Sequence, residues 1–391
     1  MEKRRSVVVA TTLKILLGAM FIVSAVSKFV TVDAFEIYVY SFGLMGLGLC
    51  CFVARLVIGA ELLLGVSLIS NRHHRFTTLM ALLFLLCFIL FLAYSHFVGR
   101  TDSCHCFGDL WPLDPIQSIL KNAVLVVLLL CVYKWGSDEW APRWWLVVII
   151  YVALAALILL FTYKVYHAID ILAEIMVLVM MAVGVLASFP FYSRWYVTLA
   201  LILTPFVTVF IQTPPDVLIY RNSQESFNHE LLMEQLDAPV DAPLVAASDS
   251  VVAVPVDTPV AAADTMGVLA HRNLREGRHV VAFVSPSCAY CQLAAGKLTT
   301  IVERHHLDSS RVLYVFPQVK KVQAYDDFYT HSRSAHFAEE RIDKLLFLKI
   351  TQGAFPLIVL LDEGEVVASY AYRNINEQFI RDFLPALNED K

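Results

Sequence analysis

Two cysteine pairs carry the reactive chemistry legible in this chain: Cys288 and Cys291 in "VSPSCAYCQLAA", and Cys104 and Cys106 in "RTDSCHCFGDLWPLD". Two residues between cysteines suit thiol–disulfide exchange when the first cysteine opens a helix. There, unpaired backbone N–H groups and the helix dipole favour the thiolate, which is the attacking species. Cys291, one turn on, then lies close enough to close a disulfide after Cys288 has attacked. A structural disulfide and half of a zinc site are the alternatives, and no second cysteine pair lies in this part of the chain to complete a zinc ribbon. Cys104 and Cys106 enclose only His105, so a bond between them closes a tight, distorted and easily reduced ring. His105 could stabilise a thiolate or donate a proton. A metal site made of Cys104, His105 and Cys106, or a simple loop staple, stays open as an alternative. Three adjacent ligands are poorly spaced for closed tetrahedral zinc, so redox chemistry is preferred and no metal ligand is assigned.

The elements that must position these cysteines are of two kinds. The chain has 391 residues, 58% of them hydrophobic and 17% charged, with a mean hydropathy of +0.64, outside the range of an ordinary soluble domain. Up to about residue 212, apolar runs recur at the roughly 18 or more residues that a helix needs to cross the hydrocarbon. Beyond that point charge, Pro and His rise and no run is long enough. The expected architecture is an all-α polytopic membrane domain followed by a C-terminal α/β domain. A net charge of −5 without a basic stripe gives no sign of nucleic-acid binding.

About seven spans are expected, at Val7–Val30, Leu44–Ser70, Thr77–Gly99, Ile119–Tyr133, Trp144–Phe161, Ile171–Phe189 and Tyr196–Ile211. Lys and Arg in "EKRR", in "NRHHR", at Lys134 and Arg143, and at Arg194 all fall on one side of the membrane, and the loops between them are less basic. They set the N-terminus on the cytoplasmic side of an inner (cytoplasmic) membrane. An odd number of spans then places the C-terminal domain, and both cysteine pairs, on the extracytoplasmic, oxidising (periplasmic) side. A cleavable signal peptide ending at "AVS" (25–27) is a competing reading of the first segment and leaves the later topology unchanged.

Residues 213–266 read as a linker rich in Pro, Asp and Ala, with "SFNHELLMEQL" as a short amphipathic helix within it. In the remaining part, "HVVAFVS" (279–285) is a β-branched apolar run and "QLAAGKLTTIVERHH" has helical spacing, so Cys288 falls in the first helical turn. "GAFPLIVLLDEGEVVASYAY" reads as strand, turn at 362–364 and strand, before the helix "NEQFIRDFLPAL". This order resembles the thioredoxin fold over residues 267–391, with a helical insertion near Val319–Ile350. The resemblance puts Pro356 in the place of the family's cis-proline opposite the active site. "CAYC" and Phe355 depart from the family's Cys-Gly-Pro-Cys pattern and from a small residue before the proline, which leaves potential and partner choice open.

In the membrane half, "FIVSAVSKFVTVDAFEIYVYSF", "ARLVIGAELLLGVSLIS", "CHCFG" and "SILKNAVLVVLLL" resemble the MauE/DoxX-like integral membrane family over residues 1–135. That family's core is a four-helix unit, so the spans in residues 136–212 are an addition. MauE is associated with maturation of methylamine dehydrogenase, whose small subunit is rich in disulfides, so the resemblance implies disulfide handling.

Arg55 and Glu61 lie inside the second span, where charge is costly, and should face the bundle interior or a polar cavity. Six residues apart, they do not share a helix face, so a pair between them is not expected. Arg55 is placed to reach the CHC loop or a quinone head group. Lys28, Asp33, Glu36 and Glu174 read as interfacial anchors, Cys50, Cys51, Cys87 and Cys131 as packing, and His73, His74, His305 and His306 as solvated. The sequence requires no cofactor and is compatible with a quinone. Two functions fit. One is a membrane-tethered thiol–disulfide oxidoreductase acting on extracytoplasmic protein cysteines. The other is a maturation factor that binds an exported client, or delivers a metal to it, without turnover.

Overall fold

The computed structural model describes residues 2–70, 74–97, 115–136, 195–216, 224–237 and 269–387, together with a few isolated positions between 149 and 182. The chain divides into two compact units, Met1–Ile219 and Tyr220–Lys391.

In the first unit, α1 (Glu2–Val30), α3 (Leu47–Ile69), α4 (His74–Phe97) and α5 (Pro115–Trp135) are joined by the short α2 (Val32–Tyr40) between α1 and α3, and α6 (Trp195–Gln212) follows. Four helices among the described residues are long and apolar enough to cross a membrane: Ser6–Val30, Leu47–Ile69, His74–Phe97 and Ile116–Trp135. They coincide with the first four expected spans. The fifth and sixth lie almost wholly outside the described residues, and the seventh falls on α6, where Ile202–Gln212 forms a shorter apolar helix, so the described residues hold four helices able to span by length and composition. The apolar faces of these helices meet in two clusters. One joins Ile22, Val26 and Phe29 of α1 to Ile58, Leu62 and Val66 of α3, and the other joins Leu17 and Phe21 to Leu82, Leu85, Leu129 and Val132 of α4 and α5. Small residues set the closest approach, as in other helix contacts within lipid. A methyl group at Gly18 would lie 2.7 Å from the Gly65 carbonyl oxygen, and one at Gly65 would lie 2.8 Å from that of Gly18. Leu16, Leu49, Leu90 and Leu120 point outward, as hydrocarbon-facing side chains do.

In the second unit, a five-stranded sheet holds β1 (Arg278–Phe283), β2 (Val312–Pro317), β3 (Ala338–Ile342), β4 (Leu357–Asp362) and β5 (Glu365–Tyr370) in the order β3-β2-β1-β4-β5. The first three strands are parallel, β4 runs antiparallel to β1, and β5 runs antiparallel to β4. On one face Val281, Phe283, Leu313, Val315, Val359 and Leu361 pack with Leu346, Phe347 and Ile350 of α10 (Lys344–Thr351). On the other face Tyr314 reaches the Ala295 carbonyl of α8 (Ala289–Arg304) and stacks edge-on with Phe328 of α9 (Gln323–Ser332). β1 and β2 are therefore buried on both sides, which explains their unbroken apolar runs. The hairpin turns through Glu363 and Gly364, both at positive φ, as a tight two-residue turn requires, and at the position expected from the sequence. The unit closes with α11 (Glu377–Phe383), capped by the Asn376 side chain, which accepts from the Phe379 N–H at 3.1 Å.

Two sequence expectations change. The segment near Val319–Ile350 is helix, strand, helix, because "AEERI" forms the outer strand β3. Its charges mark an edge exposed to water, a usual protection of edge strands, and they hide the strand signal. The helix expected inside the linker is α7 (His229–Leu236), and Leu232 and Leu236 belong to the sheet's own core.

Candidate dithiol site and intramembrane ion pairs

β1 leads through Pro286 and Ser287 to Cys288, which is the N-cap of α8 rather than a residue of its first turn. The Cys288 Sγ accepts from the Cys291 backbone N–H at 3.2 Å, in the role that a Ser or Asp oxygen ordinarily plays at this position. Cys288 is half-buried and Cys291 fully buried, and both are free thiols. Cys291 begins the apolar stripe of α8, continued by Ala294, Ala295, Leu298, Ile301 and Val302, and this stripe fixes the attacking sulfur on the wetter side of the helix start.

The electrostatics separate the two thiols. A hydrogen bond from the Cys291 thiol, helped by the backbone N–H groups of Cys291 and Tyr290, holds the Cys288 pKa down to about 6 against the opposing effect of partial burial. Burial pushes the Cys291 thiol well above its ordinary value, and the neighbouring Cys288 sulfur adds to the shift. At neutral pH the site thus holds one thiolate and one proton, the state in which one sulfur attacks and the other waits.

A pH dependence follows. Alkylation of Cys288 by iodoacetamide is expected to reach half its maximal rate near pH 6, measured by mass spectrometry of quenched samples, while Cys291 stays unreactive in the folded protein. The depressed Cys288 value means that the reduced unit gains stability as pH rises from about 6 toward the unfolded thiol value near 9. The raised Cys291 value works oppositely above that point, where the unfolded chain alone releases its proton. A rate midpoint near pH 9 would show Cys288 to be an ordinary thiol.

The Phe355–Pro356 bond is cis, at the position expected for the family's proline. Phe283 at the end of β1 pairs with Leu357 at the start of β4, so Pro356 and the Ser285–Cys288 turn share one end of the sheet. Sequence reading missed two aromatic neighbours of the dithiol. Tyr290, 49% exposed, packs against Tyr372 with ring centroids 5.7 Å apart. Beneath Tyr372 lies buried Lys297, whose Nζ sits 3.8 Å from the ring centroid and donates to the Tyr372 carbonyl at 3.3 Å. A lysine on the buried face of an amphipathic helix was the available signal.

Cys104, His105 and Cys106 lie outside the described residues. Among the described residues, no group of three or more His, Cys, Asp or Glu side chains is placed to hold a metal. Glu61 and Arg55 both face the interior and do not pair with each other. Lys28 donates to both Glu61 oxygens at 2.8 and 2.9 Å and to Ser24 Oγ at 2.7 Å. Arg55 Nη1 bonds Glu36 and the Cys51 carbonyl, the latter at 2.7 Å, while Cys51 Sγ donates to the other Glu36 oxygen at 3.1 Å. Arg55 also donates to the Thr213 carbonyl and, at 3.2 Å, to that of Pro214, just past the end of α6 where the helix leaves carbonyls unsatisfied. Lys28 and Glu36, expected as interfacial anchors, are instead buried partners of these charges, and Glu174 lies outside the described residues. Of the four cysteines read as packing, Cys50 and Cys51 are buried, Cys131 is half-buried and Cys87 faces outward. His74 is buried beside Thr78 instead of solvated, and His305 meets Glu377 at 3.1 Å.

The family model described as methylamine utilisation protein MauE matches residues 6–136, the stretch that contains the four membrane-length helices. "Protein TlpB" of Flavobacterium psychrophilum is 33% identical over 142 residues, which are 34% of this chain and 38% of the relative, so the chain spans well under half of that protein's length. The thioredoxin domain of a thiol-disulfide oxidoreductase from Bacteroides vulgatus aligns with 29% of this chain and 82% of its own, at 15% identity and a TM-score of 0.24. A thiol:disulfide interchange protein from Bacteroides sp. aligns with 30% of this chain and 80% of its own, at 14% identity and a TM-score of 0.23. The chain thus joins a MauE-like membrane region to a C-terminal α/β unit that carries a CxxC dithiol at a helix start.

Proposed function

We propose that this chain is a membrane-anchored thiol–disulfide oxidoreductase that acts on protein cysteines outside the cytoplasm. The observation that supports it most is the division of labour at the CxxC: an accessible sulfur with its pKa held near 6 at a helix N-cap, beside a buried thiol that keeps its proton. The Cys288 thiolate attacks a client disulfide, forming one S–S bond and releasing one client thiolate. Cys291 then loses its proton, attacks Cys288 Sγ and releases the second client thiolate. The client gains two electrons, and the pair is left as a disulfide; the same steps run in reverse when the client is to be oxidised. Cys104 and Cys106 are the partner pair, exchanging with Cys288 and Cys291 so that the membrane region resets the redox state of the α/β unit. His105 assists that exchange, and Pro356 borders the surface on which the client strand lies. The N-terminus is cytoplasmic, the membrane is the inner one, and both cysteine pairs work on its outer side.

The test is catalysed reduction of a protein disulfide, such as that of insulin, by the purified full chain with glutathione as reductant. Cys288→Ser is expected to lower the rate to the uncatalysed level. A folded wild-type protein that binds an exported client but does not accelerate exchange would overturn the enzymatic reading and leave a maturation factor in its place.

A further inference from the structure

Tyr290 is the second helical residue of α8 and Cys291 the third, so theirs are the N–H groups that a cap sulfur at Cys288 can receive. A first helical turn has no neighbour on its N-terminal side and frays unless its side chains are held. Here the hold comes from outside the helix. The half-exposed Tyr290 ring packs on the buried ring of Tyr372, just past β5. Tyr372 is gripped in turn by Lys297: the ammonium stands 3.8 Å from the ring centroid and donates to the carbonyl of the same residue at 3.3 Å, so one side chain fixes both ring and backbone. Tyr290 and Lys297 are seven residues, about two turns, apart on one face of α8, and Tyr372 bridges them. Lys297 is 2% exposed and has no carboxylate partner among the described residues. A buried ammonium kept without a counter-charge costs stability that an apolar side chain of similar length would not, so packing alone does not account for it. No charged side chain is among the groups that set the Cys288 pKa, so the influence of Lys297 on the sulfur passes through the stack.

We propose that Tyr372 and Lys297 are positioning residues for the attacking sulfur: together they clamp the Tyr290 ring, and through it hold the Tyr290 and Cys291 N–H groups on Cys288 Sγ. Neither touches the reacting atoms. The clamp favours the thiolate, and a stabilised thiolate favours the reduced pair over the disulfide. Against glutathione the balance is RS–SR plus two GSH giving two RSH plus GSSG, and the clamp draws it toward the dithiol. Its use in exchange with a client rests on the oxidoreductase reading, whereas the clamp itself is read from Cys288 without any client.

The experiment measures the pH profile of Cys288 alkylation by iodoacetamide in the full-length protein in lipid nanodiscs, by mass spectrometry of quenched samples. Tyr372→Leu is expected to raise the midpoint by roughly one pH unit, an about fivefold loss of rate near pH 6, because backbone hydrogen bonds to the thiolate are weakened. Tyr372→Phe keeps the ring and is to behave as wild type. Tyr290→Ala, at a half-exposed position, is expected to raise the midpoint as far, and Lys297→Met to raise it by a smaller step. Combining Tyr290→Ala with Tyr372→Leu is to add nothing to either, since both break one stack. Near pH 7 the same shift moves the equilibrium with glutathione about fivefold toward the disulfide in Tyr372→Leu and Tyr290→Ala. An unchanged midpoint in either Tyr290→Ala or Lys297→Met would overturn the proposal, and these two serve if Tyr372→Leu does not fold. Additive shifts in the double variant, or a Tyr372→Phe midpoint as high as that of Tyr372→Leu, would overturn it as well. A wild-type protein whose variants shift as expected but which does not accelerate insulin reduction would count against the oxidoreductase reading and not against the clamp.

Discussion

In Cys291→Ser, a covalent adduct on Cys288 is expected to accumulate from a trace species to a major form of the protein, at least roughly tenfold over wild type, because the resolving thiol is gone and the mixed disulfide persists. The geometry makes this a sharp test. Cys291 N–H still caps Cys288 Sγ in the variant, and the Tyr290 N–H is unaffected, so most of the thiolate's backbone support survives. The thiol hydrogen bond from Cys291, the largest of the effects that lower the Cys288 pKa, passes to a serine hydroxyl that can also donate. Attack is therefore preserved and resolution abolished. Non-reducing peptide mapping of the trapped protein is to find Cys288 joined to a client cysteine and, if the two pairs exchange, also to Cys104 or Cys106 of the same chain. Client adducts without the internal one would remove the CHC loop from the relay and return it to a metal or staple role. The double change of Cys288 and Cys291 to Ser is to abolish every adduct, and an adduct that survives it would show that another cysteine is the nucleophile.

The dithiol was legible because local sequence alone builds it. A β-branched run, a Pro-Ser break and a helix with apolar residues at helical spacing place Cys288 within one residue of its observed position. The hairpin was equally local, since Glu363 and Gly364 supply the two positive φ values it needs. Elements that depend on distant partners were harder to read. β3 has three charges in five residues and becomes a strand only because the main chain of β2 offers it a ladder. α7 reads as linker because Pro-rich sequence follows it, yet Leu232 and Leu236, one turn apart, find a core some fifty residues downstream in the sheet.

The membrane charges show the same division. That Arg55 and Glu61 face inward follows from the cost of leaving them in lipid. Their actual partners, Glu36 and Lys28, depend on how α1 and α2 register against α3, and that is set by the close backbone approach of Gly18 and Gly65. A signal was nevertheless available. The first two spans and the loop joining them carry three acids, Asp33, Glu36 and Glu61, and three bases, Lys14, Lys28 and Arg55; pairing Lys28 with Glu61 and Arg55 with Glu36 is more economical than placing all of them at a surface. His74 went unread for a related reason: its burial depends on residues distant in sequence, among them Gly136 just past α5, whose lack of a side chain leaves room for the imidazole.

Breaking the Arg55–Glu36 pair from one side is expected to cost the folded membrane unit about 3–5 kcal/mol, as removal of one partner from a buried ion pair generally does. Glu36 is fully buried and Arg55 is 2% exposed, so Glu36→Gln strands a guanidinium where water cannot reach it. The carbonyls of Cys51, Thr213 and Pro214 still accept from it, but they supply partial charges and no counterion. A guanidinium cannot escape by giving up its proton. The second pair provides the internal control. Glu61→Gln leaves Lys28 with Ser24 and an amide oxygen, and an ammonium can lose its proton when its counterion disappears. The loss there is expected to be smaller, about 1–3 kcal/mol, the range for a buried polar group left poorly satisfied. Thermal unfolding in detergent, followed by size exclusion at a series of temperatures, measures both. Arg55→Met combined with Glu36→Leu should recover most of the stability that Glu36→Gln loses, because no charge then remains unpaired. A double variant as unstable as the single one would mean that the pair's geometry, and not its charge balance, holds α2 against α3. Equal losses for Glu36→Gln and Glu61→Gln would mean that Lys28 keeps its proton without a carboxylate beside it.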